Sequence, residues 1–190
     1  CLLTAALALP FGATARADEL TESAIETAEG SAAEAAILEQ ALRKEGRFDI
    51  VVRVLESRIK TETGAVAQAS LRTEMARTLE NQLGKSADAF ARILEAIELD
   101  PADPTRFDFA KELAGKLGAM DAYTRRLDEA AERLEKSAPP DVAALLLLRV
   151  ARVEEVDRQN PAKALELYER ALARSREPSA TDGKTAAEIR

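Results

Sequence analysis

Histidine and tryptophan are missing from this chain altogether, and cysteine occurs once, as Cys1. Without histidine the chain lacks the commonest general base and the commonest metal ligand. A lone cysteine at the first residue leaves no disulfide within the chain and no thiolate set for zinc. Aromatic residues are 4% of the 190, as two Tyr and five Phe, so any core must be assembled from aliphatic and small side chains. Proline and glycine are few, at seven and eight, and most fall between periodic segments. Clusters of β-branched and aromatic residues, which mark strands, are almost lacking.

What the chain has in quantity is Ala, Leu, Glu and Arg, all good helix formers. Hydrophobic residues reach 46%, enough for a packed core, and the composition points to an all-α chain. The formal net charge is −7, and no run of Lys and Arg makes the clustered basic surface that phosphates need. No nucleic-acid partner is expected, and the surplus negative charge favours solubility. There is no Gly-rich phosphate loop, no serine elbow and no metal-ligand spacing. Acid pairs such as Asp128-Glu129 and Glu154-Glu155 read as solvated faces, since paired carboxylates act as acid and base only in a cleft that separates their pKa values. The expectation is a protein that is not an enzyme and has neither cofactor nor metal.

Leu2 to Leu9 is a nearly unbroken apolar run, too short to span a bilayer as a helix. Pro10, Gly12 and the small pair Ala15-x-Ala17 follow, then the charged Asp18-Glu19. The pattern reads as residues 1–17 of a secretory signal peptide, truncated at its start. It predicts an exported, periplasmic protein whose mature chain begins at Asp18 and has no transmembrane span. The alternative is a lipid anchor on Cys1 or a cell-surface location.

Beyond residues 18–30, an N-terminal helix or linker, the sequence repeats. From Ala76, offsets of 13, 17 and 20 give Ala89, Ile93 and Ala96. From Ala110 they give Tyr123, Leu127 and Ala130, and from Ala151 they give Ala164, Tyr168 and Ala171. Gly84 and Gly118 hold equivalent turn positions, and Gln159-Asn160-Pro161 takes that place in the last copy. A weaker copy upstream aligns Gly46, Val51 and Leu55, with Arg58 where a small residue is expected. Each copy splits into two amphipathic helices, near 31–45, 48–62, 66–83, 86–99, 104–117, 119–137, 140–158 and 161–175. A single hairpin cannot bury both of its apolar faces, so stacking follows.

The stretch Arg92-Ile93-Leu94-Glu95-Ala96-Ile97-Glu98-Leu99-Asp100-Pro101 resembles the second helix and closing turn of a tetratricopeptide repeat, as does Pro161 to Leu172. The resemblance covers about 31–175, with Met75-Ala76, Phe109-Ala110 and Val150-Ala151 replacing the consensus Trp and Leu-Gly. The variable unit lengths resemble longer-looped bacterial forms of the family. The resemblance implies a right-handed superhelical solenoid of about four antiparallel hairpins. It also implies a non-enzymatic scaffold or adaptor that binds a protein or peptide segment on its concave face. The alternative is a structural segment of a larger repeat protein with no site of its own.

On that frame the residues after the small anchors, Arg77, Lys111 and Arg152, form a basic column towards the concave face, with Glu80 and Glu155 a turn later. Arginine forks suit carboxylates, so the column fits a carboxylate terminus or an acidic segment. The plainer reading makes Arg77–Glu80 and Arg152–Glu155 ordinary i, i+3 surface pairs. Glu39 breaks the column in the first copy. Phe109 aligns with Met75 and Val150 and reads as core. Phe107 is either an aromatic anchor in the groove or a staple against the preceding hairpin. Leu145 to Leu148 cannot all face one side of a helix, and reads as buried between hairpins. Residues 176–190 read as a linker and the start of a further helix, leaving the C-terminal face of the array open to docking.

Overall fold

Turn chemistry sets where each helix starts and stops. The computed structural model describes Glu22, Ile25, Glu26 and residues 31–177; the leader-like stretch 1–17 and the tail from 178 onward lie outside the described residues. Among the described residues every regular element is an α-helix. Two compact units divide the chain after Glu62.

The first unit contains α1 (Ala32–Lys44) and α2 (Phe48–Thr61). Ser31 caps α1 by accepting a hydrogen bond from the Glu34 backbone N–H, which satisfies one of the free donors of a helix start. The chain then reverses at Gly46, whose φ of 72° is open to glycine at little cost. Ile50, Val51, Val54 and Leu55 line the buried side of α2, and Ala35 and Leu42 are buried on α1. Arg58, at the place where a small residue is expected, reaches Glu39 at 2.6 Å. Glu39 is 5% exposed and also accepts from Arg43 at 2.9 Å. A buried carboxylate needs such partners, so the break in the basic column and the missing small residue are one ion pair.

The second unit holds three hairpins, α3/α4 (Ala65–Asn81, Ser86–Leu99), α5/α6 (Pro104–Leu117, Met120–Ser137) and α7/α8 (Pro140–Val156, Pro161–Ser175). Proline opens α5, α7 and α8, where its missing N–H costs nothing. The second helix of a hairpin also packs on the first helix of the next, α4 on α5 and α6 on α7. Ala76, Ala110 and Ala151 are fully buried, and so are Ala89, Ile93, Ala96, Tyr123, Leu127, Ala130, Ala164 and Ala171. Tyr168 is the exception in this register: it is only half-buried, and its hydroxyl donates to Glu155 at 2.8 Å.

The middle hairpin differs from its neighbours. Ala89 and Ala164 sit at the 13-residue offset in α3/α4 and α7/α8, whose helices approach closely along their length. Tyr123 takes that position in α6 and is 1% exposed. Its ring lies 6.5 Å from that of Phe90, and its hydroxyl donates to the Phe107 carbonyl at 3.4 Å. A phenol occupies several times the volume of a methyl, so α5 and α6 are held further apart. Leu146 and Leu147 are buried as expected, whereas Leu148 is 45% exposed. Leu145 and Leu148 border an apolar hollow of about 560 Å³ beside Pro101 and Ala102.

Candidate partner-binding cleft

The space that Tyr123 opens is a cleft of about 410 Å³ between α5, α6 and α7. Its floor includes Tyr123 and Phe107, and Val153 and Val156 line its α7 side. Residues 149, 152, 153 and 156 are spaced at three and four along α7, so one helix face presents them together. Lys111, Arg149 and Arg152 bring three cations to the cleft against the carboxylates of Asp108 and Asp157. Lys111 is paired with Asp157.

Arg149 was not evident as a site residue from sequence. Its guanidinium lies over the Phe107 ring at 5.9 Å from the centroid, a cation–π geometry that also shields its stem. Its Nε is buried and meets no hydrogen-bond acceptor in the protein, while the residue as a whole is half-buried. Arg149 lines the cleft beside Arg152. Arg152 is exposed and forms no ion pair or hydrogen bond among the described residues. The signal for Arg149 in the sequence was its spacing of three from Arg152 on α7.

The basic column divides. Lys111 and Arg152 line this cleft, while Arg77 lies in a shallower depression with Glu80, Phe109 and Glu112; Asp108 borders both. Arg77 sits over the Phe109 ring at 6.0 Å. Phe109 is thus half-buried and faces that depression, not the core position its alignment with Met75 and Val150 suggested. Phe107, by contrast, is buried. The two phenylalanines are two residues apart on a helix, which turns them towards opposite flanks of α5.

The expected i, i+3 surface pairs do not form. Glu80 pairs with Lys116 of α5, and Lys116, then the Ser86 hydroxyl, hold its carboxyl below the ordinary Glu value. Glu155 accepts from Tyr168, which raises that phenol's pKa. Burial is the first cause of the upward shift at Tyr123, followed by the charges of Asp157 and Asp108. With both neighbours negative and its oxygen covered, Tyr123 stays a neutral phenol.

A second charged cluster joins α6, α7 and α8 and corrects the reading of both acid pairs as solvated faces. Glu129 and Glu155 are exposed, but Asp128 is half-buried and Glu154 is buried, facing the helix packing. Glu154 is 1% exposed and accepts from Arg158 at 3.1 Å, with Lys163 at 3.7 Å; Lys163 also contacts Asp128 at 2.5 Å. Arg158 and Lys163, themselves partly exposed, thus bring positive charge to the buried Glu154 from the surface side. No three His, Cys, Asp or Glu side chains among the described residues are arranged to hold a metal ion, and no helix among them is long and apolar enough to cross a membrane. No protein-family model matches this chain, and comparison with curated proteins finds no match.

Proposed function

We propose that this chain is a non-enzymatic scaffold, a tetratricopeptide-like solenoid of about four hairpins wound as a right-handed superhelix, which holds a protein or peptide segment along the groove over α3, α5 and α7. The observation that carries this reading is the cleft floored by Phe107 and Tyr123, with Arg149 and Arg152 facing it free of acidic partners. Hot spots at protein interfaces favour such aromatic and arginine groups. Catalysis lacks the usual groups, since histidine is missing and cysteine occurs only at Cys1.

The test is photo-crosslinking in intact cells, with p-benzoylphenylalanine placed at Val156 on the cleft or at Ala91, exposed on α4. A discrete crosslinked product from position 156 and none from position 91 is the expected result. Equal labelling from both, or none from either, rejects the groove as the working surface. The leader-like residues before Asp18 support an exported location. N-terminal sequencing that begins at Asp18 agrees with cleavage of a leader there, and a lipid-modified Cys1 refutes that cleavage in favour of a lipid anchor.

A second reading, a structural segment within a longer array, is favoured by Leu165 and Leu172. They are 59% and 52% exposed on α8, and lie seven residues apart on one helix face, where a further helix would cover them.

A further inference from the structure

We propose that the cleft between α5, α6 and α7 seats one tryptophan side chain of a protein partner, its ring face against Arg149 and Arg152 and its indole N–H donated to Asp108. The proposal rests on the scaffold reading above and adds the chemistry of the partner's anchor.

Some of the groups at the cleft already answer one another. Lys111 and Asp157 form an ion pair, and the Tyr123 hydroxyl donates to the Phe107 carbonyl. Arg152 and Asp108 are exposed and have neither ion pair nor hydrogen bond among the described residues. Arg149 lies over the Phe107 ring, and its buried Nε meets no acceptor. Two guanidiniums of α7 and one carboxylate of α5 are thus left to a partner, around the apolar surface of Phe107, Tyr123 and Val153.

A charged anchor suits this set poorly. A partner carboxylate drawn to the arginines also meets the unpaired Asp108, and a partner ammonium drawn to Asp108 meets both arginines. An aromatic ring suits it, because its face is negative and its edge positive. Against a guanidinium the face gains a cation–π attraction that grows as water is excluded. Tryptophan draws a cation more strongly than tyrosine or phenylalanine does. Its N–H is a donor only, and the ionised Asp108 is an acceptor only, so the two match. The cleft, at about 410 Å³, falls within the roughly 300–1,000 Å³ of pockets that bury small ligands, and one indole fits. Tryptophan and arginine are also among the groups that dominate interface energies.

The probe is the capped, uncharged peptide acetyl-Gly-Ser-Trp-Ser-Gly-amide. No tryptophan occurs in the 190 residues, so indole emission belongs to the probe, and its blue shift follows binding to the full chain. A competitor with cyclohexylalanine in place of Trp keeps the bulk without the π face, and is expected to bind about fivefold more weakly. Methylating the indole nitrogen should weaken binding severalfold in the unaltered protein and make no difference in D108N. R152Q should weaken the Trp peptide severalfold and leave the cyclohexylalanine peptide unchanged. Asp108 and Arg152 are exposed, so both variants fold, which thermal melting verifies.

Equal binding of the cyclohexylalanine peptide, a methyl effect that survives in D108N, unchanged binding by R152Q, or no blue shift at millimolar concentration overturns the proposal. So does tighter binding of the same peptide with glutamate in place of Trp, which assigns the cleft to an acidic anchor. In each of these cases a crosslink formed at position 156 leaves the scaffold reading standing.

Discussion

Charged side chains inside this protein sit at core register positions, and Arg106 shows what that entails. It lies four residues before Ala110, on the buried stripe of α5, and is 4% exposed. Its guanidinium donates to the Asp100 carboxylate at 2.8 Å, to the Asp100 carbonyl at 2.6 Å and to Thr73 Oγ1 at 3.0 Å. The closing turn after α4 is thereby tied to α3 and α5 at once. Arg106→Ala removes the charged donor from the half-buried Asp100 carboxylate, which keeps only the Ala102 N–H, and from the Asp100 carbonyl, and is expected to cost about 2–3 kcal/mol. Arg106→Lys keeps the charge but cannot reach three acceptors, so it should recover only part of that. Urea unfolding of both variants measures the difference; a cost under about 1 kcal/mol for the alanine would refute the role. The spacing to Ala110 was readable in the sequence, but an arginine on an apolar stripe gives no sign of its acceptors. Thr73 is 33 residues away, and only the packed hairpins bring it near. Arg149 escaped notice for the same reason, since its importance lies in the Phe107 ring beneath it.

Helices and turns were far more legible, because their causes are local. The expected spans 86–99, 104–117 and 161–175 coincide with α4, α5 and α8. The expected 66–83 and 140–158 overrun α3 and α7 by two residues, where the chain has already entered the turn. Each turn is closed by a bond back into the helix: Arg47 N to Leu42 O, Lys85 N to Leu79 O, Ala119 N to Ala114 O and Asn160 N to Glu154 O. Gly46, Gly84 and Gly118 hold positive φ in the first three, and Gln159 does so at 52° in the last. A left-handed conformation costs a residue with a Cβ about 1 kcal/mol. Gln159→Gly should therefore raise stability by about 0.5–1 kcal/mol, and Gly84→Ala, which meets no neighbouring atom within 4 Å, should lower it by about 1 kcal/mol from backbone strain alone. Chemical denaturation compares the two, and opposite signs are the expected result. The separation of α5 from α6 was not legible. Tyr123 was read at its offset as one more packing residue, and the consequence of a large ring there depends on the helix opposite.

At the scale of the whole molecule, the missing histidine governs how stability responds to pH. No side chain with an ordinary pKa near 6.5 is present, so folding should be insensitive to pH between about 5.5 and 7. The sensitive groups are carboxylates whose pKa is lowered in the fold. Glu135 is held down first by its hydrogen bond from Arg170, Glu80 first by Lys116 and Asp103 first by Thr105 at the start of α5. A carboxylate with a lowered folded pKa binds fewer protons than it does unfolded. Its stabilisation is complete above the unfolded values of 4.5 for Glu and 3.8 for Asp, and fades as pH falls through the folded ones. Urea midpoints followed by helix circular dichroism should agree at pH 7 and 5.5, drop at pH 4 and drop further at pH 3. Replacing Glu80 and Glu135 with glutamine should lower the midpoint at pH 7 and make the acid decline shallower, since those protons are no longer taken up on unfolding. Both glutamates join neighbouring elements, Glu80 from α3 to α5 and Glu135 from α6 to α8. Acid should accordingly loosen the stacking of hairpins before it melts single helices, and a midpoint that already falls between pH 7 and 5.5 would contradict this account.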